Sequence, residues 1–166
     1  AAVKEICVET GTEVANINCP GQTVISGGAK EIEDAQALAN KRGAKMAVLL
    51  EVSGAFHSSF MEEAALRLAS ELENIKLNLP EISVICNVTA KPAVSVDGLK
   101  NNLIKQVASS VLWEDSVRFM LSQGIKKFFE FGPGRVLKAL MRRIDSNVEV
   151  ISIEKKEDLL SLAKEE

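Results

Sequence analysis

The sequence predicts an α/β protein, and three observations lead there. Apolar runs of strand length alternate with segments whose apolar residues recur every three or four positions. Glycine or proline punctuates most of the junctions between them. The first five segments run in the order α-β-β-α-β, which is a β-α-β-β-α-β ferredoxin-like unit without its first strand.

Residues 1–8 carry Ala2, Val3 and Ile6 at helical spacing, and Gly11 is placed to end that helix. Residues 13–18 alternate as a strand. Cys19-Pro20-Gly21-Gln22 has proline and glycine where a type II turn needs them, and residues 23–26 return to form a hairpin. After Gly27 and Gly28, Ile32, Ala35 and Ala39 mark one face of a helix that runs to Arg42 and stops at Gly43. Residues 46–52 then read as a buried strand. The incomplete ferredoxin-like subdomain so defined covers residues 1–53, and the missing strand implies that the chain begins inside a domain.

Beyond it, Ser59 with Glu62 fits a capping box, and Met61, Ala64, Ala65, Leu68, Leu72 and Ile75 form the buried stripe of a helix. Residues 82–88 read as a strand after the break at Pro80, Lys91-Pro92 as the start of a loop, and Asp97 as the N-cap of a helix to about residue 108. A helix over 114–123 ends at Gly124. A strand over 127–131, a tight Gly132-Pro133-Gly134 turn and a helix over 135–144 follow, the last with Val136, Leu137, Leu140, Met141 and Ile144 as its apolar face. A strand over 148–153 and a charged helix from Lys155 close the chain. No repeat, low-complexity segment or flexible linker interrupts it.

With 166 residues, 46% of them hydrophobic, the chain can bury one ordinary core or two small ones. A formal charge of -3 argues against a general nucleic-acid binder. No apolar run approaches the roughly 20 residues that span a bilayer, and no secretory signal opens the sequence, so a cytoplasmic protein, or one of an organellar matrix, is expected. Cys7, Cys19 and Cys86 are odd in number and widely spaced, which suits reduced thiols in or near a core.

His57 is the only histidine, and it sits between the apolar run 46–52 and the helix beginning near residue 60. The positive end of that helix would disfavour the imidazolium, and a neutral imidazole is what a general base requires. A structural role for a lone histidine is the alternative. One histidine and unclustered cysteines leave too few ligands for zinc. The Gly-Pro-Gly turn opens a helix and could hold a phosphate on its amides, but it lacks the established nucleotide-loop patterns. Ser58 and Ser59 lie near a helix start without the glycines of a nucleophile elbow, so capping suits them better than nucleophilic attack.

Taken together, residues 14–27 (with Asn16-Ile17-Asn18-Cys19-Pro20-Gly21-Gln22), 54–61 (with Ala55-Phe56-His57-Ser58), 87–90, 111–113 and 130–137 (with Glu130-Phe131-Gly132-Pro133-Gly134) resemble, in order and spacing, the malonyl-CoA:acyl carrier protein transacylases. The resemblance covers nearly the whole chain. It implies an α/β-hydrolase-like subdomain with a ferredoxin-like insertion, so that residues 54–166 become the C-terminal part of the acyltransferase large subdomain. It implies malonyl-CoA and acyl carrier protein as partners, coenzyme A as part of the substrate with no cofactor, and neither nucleic acid nor membrane.

In that family a serine in a GHSxG elbow attacks the thioester, a histidine moves the proton, and a main-chain carbonyl orients the histidine. His57 matches the histidine and Gln106 the carbonyl. Asn16 and Asn18 match polar residues of the cleft, a structural role at a strand end being the alternative. Phe56 matches the position at which phenylalanine accompanies malonyl selection in related polyketide acyltransferases, and serine accompanies methylmalonyl. Arg135, Lys138 and Arg142 fall on one helix face and would suit docking of an acidic carrier protein. This sequence contains no GHSxG, no GQG and no arginine segment for the malonyl carboxylate, so it is expected to be a fragment that carries the base and needs the missing N-terminal portion of the enzyme. The alternatives are an acyltransferase domain of a polyketide or fatty acid synthase, and a non-catalytic interaction module.

Overall fold

A computed structural model describes residues 2–162. The chain is α/β: α1 (Ala2–Thr10), the hairpin β1 (Glu13–Cys19) and β2 (Gln22–Ser26), and α2 (Ala29–Lys41), then a 3-10 turn (Ser59–Met61) running into α3 (Glu62–Glu73). There follow β3 (Ile85–Cys86), β4 (Lys91–Pro92), α4 (Val96–Ala108), β5 (Val111–Leu112), α5 (Trp113–Ser122), β6 (Lys127–Phe131), α6 (Val136–Ile144), β7 (Glu149–Ile153) and α7 (Lys156–Leu162).

β1 is the organising strand. It pairs antiparallel with β2, the turn between them being permitted by Gly21 at φ 76°. On its other edge it pairs parallel with β5, Asn16 opposite Val111 and Ile17 opposite Leu112. A three-stranded sheet β2-β1-β5 therefore joins the first quarter of the sequence to its second half, while β6 and β7 form a parallel pair with Lys127 opposite Glu149 and Phe131 opposite Ile153.

The main core lies where the end of β1 meets α5, α6 and β7: Cys19, Val117, Leu140, Met141, Ile144 and Val150 are buried together, with Trp113 and Phe128 packed against them. The Cys19 thiol is pushed above its ordinary value, chiefly by burial. Arg143 ties α6 to the hairpin, donating to Gln22 Oε1 at 2.6 Å and to the Pro20 carbonyl at 3.0 Å.

Several elements differ from the sequence reading. The run 46–52 is not a strand: Met46, Val48, Leu49, Leu50 and Val52 are between 52% and 80% exposed, and no strand among the described residues lies beside them. An extended run without a partner has no place for its backbone N–H and C=O groups, however apolar its side chains. Its link to the fold is Gln36 Nε2, which donates to the Ala47 carbonyl at 2.8 Å. The strand expected over 82–88 shortens to Ile85–Cys86, and Lys91–Pro92 pairs with it instead of opening a loop. Helix α4 is capped by Ser95, whose Oγ accepts the Gly98 N–H at 3.0 Å, and not by Asp97, which falls in the first turn. Ile75 lies outside α3 and is exposed, and Val136 and Leu137 are exposed in the first turn of α6, which buries only Leu140, Met141 and Ile144.

Candidate active site

His57 occupies a turn, not a strand-to-helix elbow, and its backbone is left-handed at φ 59°. That conformation is disfavoured for a residue with a Cβ, and it persists only where surrounding contacts over-determine it. Here they do. The fully buried Ser58 donates its hydroxyl to the Ala55 carbonyl at 2.6 Å, Ser26 Oγ donates to the Phe56 carbonyl at 2.8 Å, and the Met61 N–H donates to the Ser58 carbonyl at 3.0 Å. On the far side, Glu13 Oε1 accepts from both the Ser59 N–H, at 3.1 Å, and the Ser59 hydroxyl.

The last contact replaces the expected capping box. Ser58, not Ser59, stands at the N-cap and its side chain makes no capping bond there, while the carboxylate at the helix start comes from Glu13, 46 positions away on β1. A fixed anion suits the positive end of a helix, whichever part of the chain supplies it.

The half-buried imidazole turns its Nδ1 toward the Gln106 carbonyl, 2.9 Å away near the C-terminus of α4. A carbonyl oxygen only accepts, so Nδ1 carries the proton and a neutral ring keeps its lone pair on Nε2. Gln106 anchors its own helix end, Nε2 donating to the Ser109 carbonyl at 3.0 Å. Two residues of β1 thus reach both halves of this pair: Glu13 holds the loop after His57, and the Val14 carbonyl accepts from Ser110 Oγ, just beyond α4.

Asn16 and Asn18 lie half-buried on β1, but the hydrogen bonds to the His57 loop come from Glu13 and Ser26. Phe56 is 46% exposed beside His57. Arg135 and Arg142 are exposed and Lys138 is half-buried, with Arg135 at the N-cap of α6 and not within it. After the Gly-Pro-Gly turn, a carboxylate of the chain itself meets two first-turn amides of α6: Glu130, itself buried, accepts from the Leu137 N–H at 2.8 Å, the Lys138 N–H at 3.3 Å and Ser152 Oγ at 2.9 Å. Among the described residues, no cluster of histidine, cysteine and acidic side chains could hold a metal, and no helix is long and apolar enough to cross a membrane.

The sequence assigned no role to Glu13, Ser26, Ser110 or Glu130, although Ser26 and Glu130 fall within the stretches that carry the resemblance. The partners of Glu13, Ser26 and Ser110 lie 30 or more positions away along the chain.

No family model matches the chain. It is 40% identical over 141 residues to the malonyl CoA-acyl carrier protein transacylase of Bacillus subtilis, a match covering 85% of this chain and 44% of that protein. The crystal structure of malonyl-CoA:acyl carrier protein transacylase (FabD) from Xanthomonas oryzae pv. oryzae superposes with a TM-score of 0.93 at 33% identity, over 99% of this chain and 54% of that one. A malonyl-transacylase in complex with a type II polyketide acyl carrier protein superposes with a TM-score of 0.92 at 33% identity, over 99% and 53% of the two chains. The chain spans about half the length of the relatives it matches. By sequence and by fold together, it is similar to about half of the length of malonyl CoA-acyl carrier protein transacylases.

Proposed function

We propose that this chain contributes the general base, and one side of the substrate cleft, to an enzyme that moves malonyl from coenzyme A to the phosphopantetheine thiol of acyl carrier protein. The observation that carries the reading is the His57 Nδ1 to Gln106 carbonyl contact of 2.9 Å, which leaves Nε2 free to act as base without placing a negative charge beside it.

In this mechanism a serine supplied from outside these 166 residues attacks the malonyl thioester. His57 Nε2 takes the serine proton as the seryl ester forms, and returns it to the departing coenzyme A sulfur. In the second half-reaction the base takes the proton of the carrier thiol, whose sulfur attacks the ester, and His57 returns that proton to the departing serine oxygen. Malonyl-CoA enters as acyl donor and coenzyme A leaves as the thiol, so no resident cofactor is called for. The finer division is an incomplete ferredoxin-like subdomain over 1–53 and part of an α/β-hydrolase-like subdomain over 54–166. The outer edge of β2 is unpaired among the described residues and the apolar run 46–52 is exposed, as expected of a unit whose first strand, which would lie between them, comes from elsewhere in the protein. Asn16, Asn18 and Phe56 are assigned to the cleft, and Arg135, Lys138 and Arg142 to the approach of an acidic carrier protein. A cytoplasmic setting goes with this reading.

Radiolabelled malonyl-CoA is the test. The 166-residue chain alone acquires no covalent label, because it lacks the nucleophile segment. The intact protein labels rapidly, and His57→Ala slows that labelling by on the order of 10² to 10⁴. Stable labelling of the chain alone, or an undiminished rate in the variant, would overturn the proposal.

A further inference from the structure

Glu13 and Ser26 stand opposite each other in the β1-β2 ladder, at the open end of the hairpin, and each reaches a different side of His57. Ser26 Oγ holds the carbonyl of the residue before the histidine, and Glu13 Oε1 holds the amide and hydroxyl two residues after it. The loop between them contains the one histidine, in a left-handed conformation that its own sequence does not favour. The next residue of β1, Val14, accepts the Ser110 hydroxyl and so fixes the segment following Gln106. Strand β1 therefore acts as a common ruler for the imidazole and for the carbonyl that orients it.

We infer that Glu13 is a positioning residue for His57, working with Ser26 as a two-point clamp that sets the tautomer of the imidazole. The inference rests on the reading of His57 as general base, but its own consequence is measurable without catalysis. An unconstrained neutral imidazole favours the proton on Nε2, whereas the Gln106 contact requires it on Nδ1. Releasing the clamp lets the turn relax, breaks that contact and returns the proton to Nε2.

Because the chain has a single histidine, nitrogen-15 spectra of the ring report this ratio without ambiguity. In the wild-type chain above the titration range, the Nδ1-protonated form dominates. Glu13→Ala lowers the ratio of Nδ1-protonated to Nε2-protonated ring by about tenfold, and speeds hydrogen exchange of the Ser59 amide by a similar factor, the usual worth of one bond to a carboxylate. Glu13→Gln keeps one acceptor oxygen for the Ser59 N–H and hydroxyl but loses the second, which lies 3.2 Å from the same N–H, so its ratio falls by clearly less than that of Glu13→Ala. Ser26→Ala shifts the ratio in the same direction as Glu13→Ala, and decides the question if that variant does not fold. Glu9→Ala, which removes only the exposed pair with Arg42, is the control and leaves the ratio unchanged.

In the intact protein, Glu13→Ala lowers kcat about tenfold with KM held within about twofold, the pattern of a displaced group that does not bind substrate. An unchanged tautomer ratio in Glu13→Ala and Ser26→Ala, or equal losses in Glu13→Ala and Glu13→Gln, would overturn the inference. Failure of the base reading itself would show separately, as undiminished malonyl transfer in His57→Ala.

Discussion

The Nδ1 of His57 and the main-chain oxygen of Gln106 meet at 2.9 Å, although 49 positions separate them along the chain. The acceptor is backbone, so the contact depends on where α4 ends and not on the Gln106 side chain. That side chain instead closes the helix end through Ser109. Gln106→Ala in the intact protein should therefore leave the rate of malonyl transfer within about threefold of wild type, while costing about 0.5 to 1.5 kcal/mol of stability for the lost hydrogen bond. Steady-state rates and thermal unfolding separate the two effects. A loss of rate approaching that of His57→Ala would mean that the side chain, and not the carbonyl, orients the imidazole.

Substitutions in the run 46–52 test its altered standing in the fold. Val48 and Leu49 are 63% and 62% exposed in this chain. Val48→Ser and Leu49→Ser in the 166-residue chain should change unfolding free energy by no more than about 0.5 kcal/mol, the range for surface sites. A buried strand would lose about 2 kcal/mol or more at each position. Denaturant melts with unchanged slope distinguish these outcomes.

Most of the fold was legible because the signals were local. The hairpin turn needed a residue tolerant of positive φ, and Gly21 supplies it. Helix α2 showed apolar periodicity and a stop at Gly43, and α5 a stop at Gly124. What failed was whatever depended on a distant partner. The run 46–52 has strand composition but no neighbouring edge among the described residues, so pairing and not propensity decided it. The helix start at Ser59 looked self-capped, yet its carboxylate comes from Glu13. The site divides in the same way. His57 stood out by being unique and Gln106 by a family pattern, whereas the turn-holding role of Glu13 and Ser26 has no sequence signal, because hydrogen bonding across 46 and 30 positions leaves none.

Glu130 offers a stability prediction of the same kind. Its buried carboxylate on β6 accepts two first-turn amides of α6 and the Ser152 hydroxyl on β7, so it joins three elements, while Arg135 at the N-cap provides no side-chain bond. Glu130→Ala leaves those donors without partners in a buried setting and should cost about 2 to 3 kcal/mol. Glu130→Gln retains one acceptor oxygen and should lose roughly half as much. Equilibrium unfolding of the two variants orders them. Equal stabilities for Glu130→Ala and wild type would show that water replaces the carboxylate without cost.

Phe56 precedes His57 directly, and its carbonyl is fixed by Ser26 while the residue remains 46% exposed. A large side chain whose backbone is pinned and whose ring lacks full burial is available to a ligand approaching the imidazole. In the proposed acyl transfer the ring would occupy the space that an α-methyl on the acyl group requires. An overpacked contact of that sort costs about 1 to 3 kcal/mol, which corresponds to a preference of roughly 5- to 200-fold for malonyl over methylmalonyl. Phe56→Ser in the intact enzyme should lower the ratio of kcat/KM for malonyl-CoA to that for methylmalonyl-CoA by a factor in that range. The Ser26 bond is made to the Phe56 carbonyl, so the substitution leaves the His57 turn in place, and in the 166-residue chain, where the imidazole is single, its tautomer should stay as in wild type. If both kcat/KM values fall together while their ratio holds, the ring is a packing residue of the intact protein and discrimination arises elsewhere.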